Sequence, residues 1–162
     1  MRKMNGGHLN GAEMEETVYS HVLLPLFQQD TARHLVSVAC SMLSEHGTLN
    51  IIQIEEIPAG LSMNHALELE IPRDMLAKAS ADADALGAMP VAQVVKTRSA
   101  AEAIVEIAIA EKADLVVMGF RYRDTRERRH YCKIIRQVVK VAPCDVVTLS
   151  IGRRGAVSGR IK

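Results

Sequence analysis

Five short apolar runs recur along this chain, and each of the first four is followed by a stretch in which apolar residues return every three or four positions. The first and fourth lack the in-out alternation of a half-solvated strand, so they read as strands covered on both faces. The first is His21-Val22-Leu23-Leu24-Pro25-Leu26-Phe27. Ala32, Leu35, Val36, Ala39, Met42 and Leu43 then keep helical spacing, with Asp30 placed to cap that helix and Gly47 to end it. A second strand spans Leu49 to Ile57, and beyond Pro58 and Gly60 a helix carries Leu76, Ala79, Ala83 and Leu86 on one face, with Pro72 in its first turn. Val91 to Val95 gives a third strand, after which Ser99-Ala100-Ala101-Glu102 reads as a capping box for a helix with Ala103, Ile104, Ile107 and Ala108 inward. Leu115 to Met118 is a fourth strand stopping at Gly119, and Tyr131, Ile134, Ile135, Val138, Val139 and Ala142 mark a helix ended by Pro143. Val146 to Leu149 is the last strand. Strands alternating with helices through right-handed crossovers predict an open five-stranded parallel sheet with helices on both faces. In such a sheet ligands gather beyond the carboxyl ends of the strands, where the winding direction reverses.

A chain of 162 residues fits one such domain, here residues 19–152, flanked by a flexible leader at 1–18 and a basic tail at 153–162. Apolar residues make up 48%, enough to bury a core and to exclude a wholly disordered protein. The formal net charge is +1, so no global field draws the chain to nucleic acid or anionic lipid, and 3% aromatic content argues against a base-stacking platform. Cys40, Cys132 and Cys144 form no CxxC pair and are odd in number, which fits free thiols in a reducing, cytoplasmic setting. No apolar run approaches the roughly 20 residues of a membrane span.

Three segments carry a family resemblance: Val22-Leu23-Leu24-Pro25, Ala113-Asp114-Leu115-Val116-Val117-Met118-Gly119, and Ala142-Pro143-Cys144-Asp145-Val146-Val147. With them the chain resembles the universal stress protein family, of the adenine nucleotide alpha hydrolase-like type, over about Val22 to Ser150. It is most similar to the stress-protein-like domains associated with amino-acid permeases and cation antiporters. The resemblance implies the strand order 3-2-1-4-5 and a homodimer formed through the last strand at Val146, Val147, Thr148, Leu149 and Ile151, whose edge is otherwise an unpaired hydrogen-bonding row. It also implies, in the nucleotide-binding branch, an acidic residue after the first strand and a Gly-x-x-Gly, nine residues, Gly-Ser/Thr pattern after the fourth. Only Gly119 keeps its place here. Phe27 stands at the acidic position, Tyr122 at the second glycine, and Cys132-Lys133 at the closing pair. Bulk at 122 and 132 crowds a triphosphate cradle, so ATP and AMP are disfavoured as cofactors in the usual geometry.

The sharpest local feature is Arg121 to Arg129, with five arginines and two acids, followed by Lys133 and Arg136. It reads either as an anion site, in which guanidinium groups replace the lost glycine amides, or as a solvated loop held by pairing with its own acids. The candidate nucleotide or anion site is Pro25, Leu26, Phe27, Ile54, Met118, Gly119, Arg121, Tyr122, Arg123, Cys132 and Lys133. Cys132, read as lying at a helix start, is the better redox candidate of the two late cysteines. The histidines show no zinc spacing, and there is no P-loop, G-x-G-x-x-G or G-x-S-x-G motif, so neither a metal site nor a catalytic residue is expected. The reading is a non-catalytic regulatory module that senses a small anion or regulates a transporter. Its alternatives are an ATP-binding stress protein with slow hydrolysis and a ligand-free dimeric scaffold.

Overall fold

The computed structural model describes residues 18–152 and 157–161. The leader therefore lies outside the described residues except for Val18, as do Arg153, Arg154 and Gly155 of the expected tail. The chain runs β1 (Tyr19–Leu26), α1 (Gln29–Met42), β2 (Leu43–Glu56), α2 (Met63–Glu68), α3 (Asp74–Ala85), β3 (Pro90–Thr97), α4 (Ala100–Ala110), β4 (Leu115–Phe120), α5 (Thr125–Val141), β5 (Asp145–Ile151) and β6 (Val157–Ile161). The first five strands are parallel, as the alternating pattern predicted, and stand in the order β3-β2-β1-β4-β5 that the resemblance implied.

The two faces of the sheet follow directly from the pleat. Val22, Leu24 and Leu26 of β1 point to one side and pack with Leu35, Val36 and Ala39 of α1 and with Leu76 and Ala79 of α3. Leu23 points to the other side, with Ile52, Val116, Met118, Ile104 of α4 and Ile134 and Val138 of α5. Each central strand is thus apolar on both faces, which is why its sequence shows no alternation.

Several local expectations are corrected. Asp30 does not cap α1; the cap position is Gln28, and Asp30 lies in the first helical turn. The helix ends at Met42, and Gly47 lies inside a longer β2. Pro72 precedes the α3 cap residue Arg73, and Leu86 is an exposed C-cap. Ser99 is the N-cap of α4 but makes no side-chain cap bond; its N–H donates instead to the Thr97 hydroxyl at 3.0 Å. A short helix, α2, occupies part of the expected loop after Gly60, opened by Ser62, whose hydroxyl accepts from the His65 N–H.

The largest correction concerns the last strand. β6 pairs antiparallel with β5, Val147 opposite Ile161 through Ile151 opposite Val157, so the sheet has six strands and β5 is not its edge. Of the hydrogen-bonding row expected to lie bare along Val146, Val147, Thr148, Leu149 and Ile151, the part from Val147 to Ile151 is filled from within the chain. Residues 157–161, read as tail, are strand.

Candidate functional site

At its amino end β1 is stitched tightly to β4. The Asp114 carboxylate accepts from the Ser20 and His21 N–H groups, both at 2.8 Å, and the Asp114 N–H donates to the His21 carbonyl. Val22 and Leu23 pair with Leu115 and Val116, and there the ladder between the strands ends. Further on comes Pro25, which has no N–H to donate. A crevice between β1 and β4 is therefore expected at their carboxyl ends, where the strand order reverses.

Side chains of the protein itself fill that crevice. Phe27 follows β1, Phe120 ends β4, and Tyr131 reaches in from α5. Their ring centroids are 5.0 Å apart for Phe27–Phe120, 5.8 Å for Phe27–Tyr131 and 4.3 Å for the stacked Phe120–Tyr131 pair. Burial, with Glu127 and Glu56 close by, raises the Tyr131 phenol above its ordinary value. Beside the rings, the Gln28 side chain takes over the missing ladder. Its Nε2 donates to the Arg121 carbonyl at 3.0 Å, and its Oε1 accepts from the Arg121 N–H at 2.9 Å. At 8% exposure this amide is a buried bridge between the β1–α1 and β4–α5 turns. The Arg121 guanidinium then pairs with Asp30 at 3.4 Å.

The start of α5, where an anion would meet a helix dipole, is also self-occupied. Asp124 is the N-cap, accepting from the Glu127 N–H at 2.8 Å, while the Glu127 carboxylate accepts from the Arg123 N–H at 2.9 Å. This is a capping box moved by one residue, and its spacing Asp124-x-x-Glu127 is readable in the sequence. The stretch read as an arginine loop is therefore mostly helix: only Arg121 to Asp124 lie outside α5.

The predicted site residues are not all brought together. Pro25, Leu26, Ile54 and Met118 are core side chains. Gly119 is required by packing: a Cβ there would come within 2.7 Å of Leu35 Cδ2 and 2.9 Å of the Leu149 carbonyl. Cys132 lies well inside α5, not at its start, and its thiol sits 3.9 Å from the Tyr122 hydroxyl. Burial, together with that thiol, pushes the Tyr122 phenol up to about 12. Lys133 is exposed further along the same helix. Tyr122 and Arg123 do meet, at the rim of an open hollow of about 460 Å³ shared with Asp124, Thr125, Arg128 and Ser150. The candidate set left out Gln28, Asp30, Phe120 and Tyr131: Gln28 and Asp30 meet Arg121, and Phe120 and Tyr131 meet Phe27, only because the fold joins distant parts of the chain. Among the described residues no three His, Cys, Asp or Glu side chains group as metal ligands, and no helix is long and apolar enough to cross a membrane.

Comparison with known proteins gives one family. Residues 19–150 match the sequence model described as "Universal stress protein family". No curated protein matches the sequence. Among solved structures, a universal stress protein in complex with cAMP is 24% identical, covering 80% of this chain and 94% of its own with a TM-score of 0.58. The universal stress protein from Archaeoglobus fulgidus in complex with dAMP is 14% identical, with coverages of 81% and 98% and a TM-score of 0.57. A family protein from Burkholderia pseudomallei is 21% identical, with coverages of 80% and 95% and a TM-score of 0.60.

Proposed function

Because the chain belongs to the universal stress protein family, we propose that it is a non-catalytic, cytoplasmic regulatory module of that family, closed to ATP in the family's usual pose and open to a smaller anion at the crevice rim. One observation carries this reading. The turn that would cradle phosphates spends its N–H groups on Gln28, Asp124 and Glu127, and aromatic rings occupy the space beneath. A triphosphate there must displace two carboxylates that already satisfy those amides, adding like-charge repulsion to lost hydrogen bonds.

The rim offers a smaller target. Arg123 and Arg128 flank the hollow, with Tyr122, Thr125 and Ser150 beside them; Asp124 also lines it, its carboxylate engaged by the Glu127 N–H, which leaves two cations over one acid for a single phosphate. Relatives of the same fold in complex with cAMP and dAMP support an adenine monophosphate as the ligand class. The test is a thermal-shift panel of ATP, AMP, cAMP and inorganic phosphate. A ligand at 100 times its dissociation constant adds about 2.7 kcal/mol of apparent stability. The expectation is a shift with AMP or cAMP that Arg123→Ala with Arg128→Ala abolishes, and none with ATP. An ATP shift of equal size, or ATP turnover by the purified chain, would overturn the reading.

Self-association and a transporter or other protein partner belong to the same reading. With β6 on β5, a second copy would meet β6 first, so pairing through β5 requires β6 to leave. Truncation after Gly152 is then expected to raise the dimer fraction in light scattering. A mass unchanged by truncation counts against β5 as the self-pairing strand.

A further inference from the structure

α5 holds six Lys or Arg residues against one acid, in a chain whose overall balance is +1. Five of them, Arg126, Arg129, Lys133, Arg136 and Lys140, recur at alternating steps of three and four, so they form one stripe along the helix. The stripe is about 21 Å long at the ~1.5 Å rise of an α-helix. All five are exposed, and among the described residues none is in a salt bridge, the only ion pairs there being Arg121–Asp30 and His130–Glu56. A helix paired with its own domain would be expected to interleave acids at i+4, yet its lone acid, Glu127, is committed to the Arg123 N–H.

Beside the stripe lies a second feature of different chemistry. Cys132, Ile135 and Val139, spaced three and four apart, form an apolar shoulder of α5, and with Arg136 and Lys140 they line an open hollow of about 570 Å³. Cations and an apolar depression thus share one helix face. The geometry points to this outer face of α5 as a docking surface for an acidic amphipathic segment of a partner protein, its apolar knob seated between Ile135 and Val139 and its carboxylates over the stripe.

Charge complementarity selects this occupant over others. A second copy would bring the same positive stripe against this one, an arrangement that like-charge repulsion disfavours. A duplex offers phosphates to the stripe but no apolar knob for the hollow. A bilayer would need large apolar side chains projecting from the charged face, and that face carries cations around a concavity. The hollow adjoins the crevice rim through the Cys132–Tyr122 contact but shares no lining residue with it, so Arg123→Ala with Arg128→Ala is expected to remove a nucleotide shift and leave peptide binding in place.

The probe is a fluorescein-labelled synthetic peptide of about 21 residues, matched in length to the stripe, with leucine at heptad positions a and d and glutamate at e and g. Anisotropy against the full chain is expected to show saturable binding at about 50 mM salt that weakens by about 10-fold at about 300 mM. Arg136→Glu with Lys140→Glu is expected to weaken binding by about 10-fold or more. Ile135→Ala with Val139→Ala is expected to weaken it by about 5-fold while leaving the salt dependence unchanged. Since those two side chains also touch the core, Arg126→Glu with Arg129→Glu serves as the variant that spares it, with about 10-fold loss expected. Absence of saturable binding at low salt overturns the assignment. So does equal binding of a peptide with lysine in place of glutamate, or tighter binding of phosphatidylserine vesicles or of a DNA duplex.

Discussion

The crevice between β1 and β4 and the outer face of α5 are neighbours built to opposite rules. In the crevice nearly every polar group is answered from within the chain: Gln28 meets both backbone groups of Arg121, Asp124 and Glu127 close the helix start, and Arg121 meets Asp30. On the outer face of α5 five cations have no acidic partner among the described residues. Buried polar groups must be paired to be tolerated, whereas exposed charges cost little to leave alone. The difference teaches that the crevice has been committed to holding two turns together, while the helix surface retains unmet recognition capacity.

The comparison can be broken by substitutions that reverse this order of cost. Phe120→Ala should be the most damaging, about 3–5 kcal/mol by urea unfolding, because it removes the one fully buried ring of the aromatic cluster. Gly119→Ala should cost about 1–3 kcal/mol, since the added methyl meets the Leu149 backbone carbonyl, which cannot rotate away. Asp124→Ala should cost about 1 kcal/mol as a lost N-cap, and it should strengthen any phosphate-induced shift by uncovering the Glu127 N–H.

A smaller effect is expected at alkaline pH. Burial, with the Cys132 thiol beside it, pushes the folded Tyr122 phenol up from its ordinary value to about 12, so the unfolded chain releases its proton first. Stability from this group is fully present below pH 10 and is lost as pH rises toward about 12. Tyr122 is half-buried, so solvent screens the effect. Thermal melts of the wild type and Tyr122→Phe should diverge only in that window, and parallel curves there would show the phenol to be unperturbed. Smallest of all, Arg126→Ala with Arg129→Ala should change stability by no more than about 0.5 kcal/mol. A loss comparable to that of Gly119→Ala would mean that the outer face of α5 is structural and would erase the contrast drawn above.

What the sequence determined by itself is the layered fold. Unbroken apolar runs such as Leu115-Val116-Val117-Met118 specify strands covered on both faces, and the helical spacing of Leu35, Val36 and Ala39 specifies what covers one of them, because these patterns are local. Set against the family's pattern, it also places Phe27, Tyr122 and Cys132 where an acidic residue and two glycines are expected. Tertiary structure alone decided what those turns hold. Gln28 and Arg121 are 93 positions apart, and nothing in either segment announces an amide that completes a broken strand ladder. The same holds for β6, whose Val157-Ser158-Gly159-Arg160-Ile161 is too short and too mixed to declare itself until the bare row of β5 supplies its partner. Strand pairing and crevice filling depend on which distant groups the fold brings within hydrogen-bonding reach, and periodicity carries no record of that.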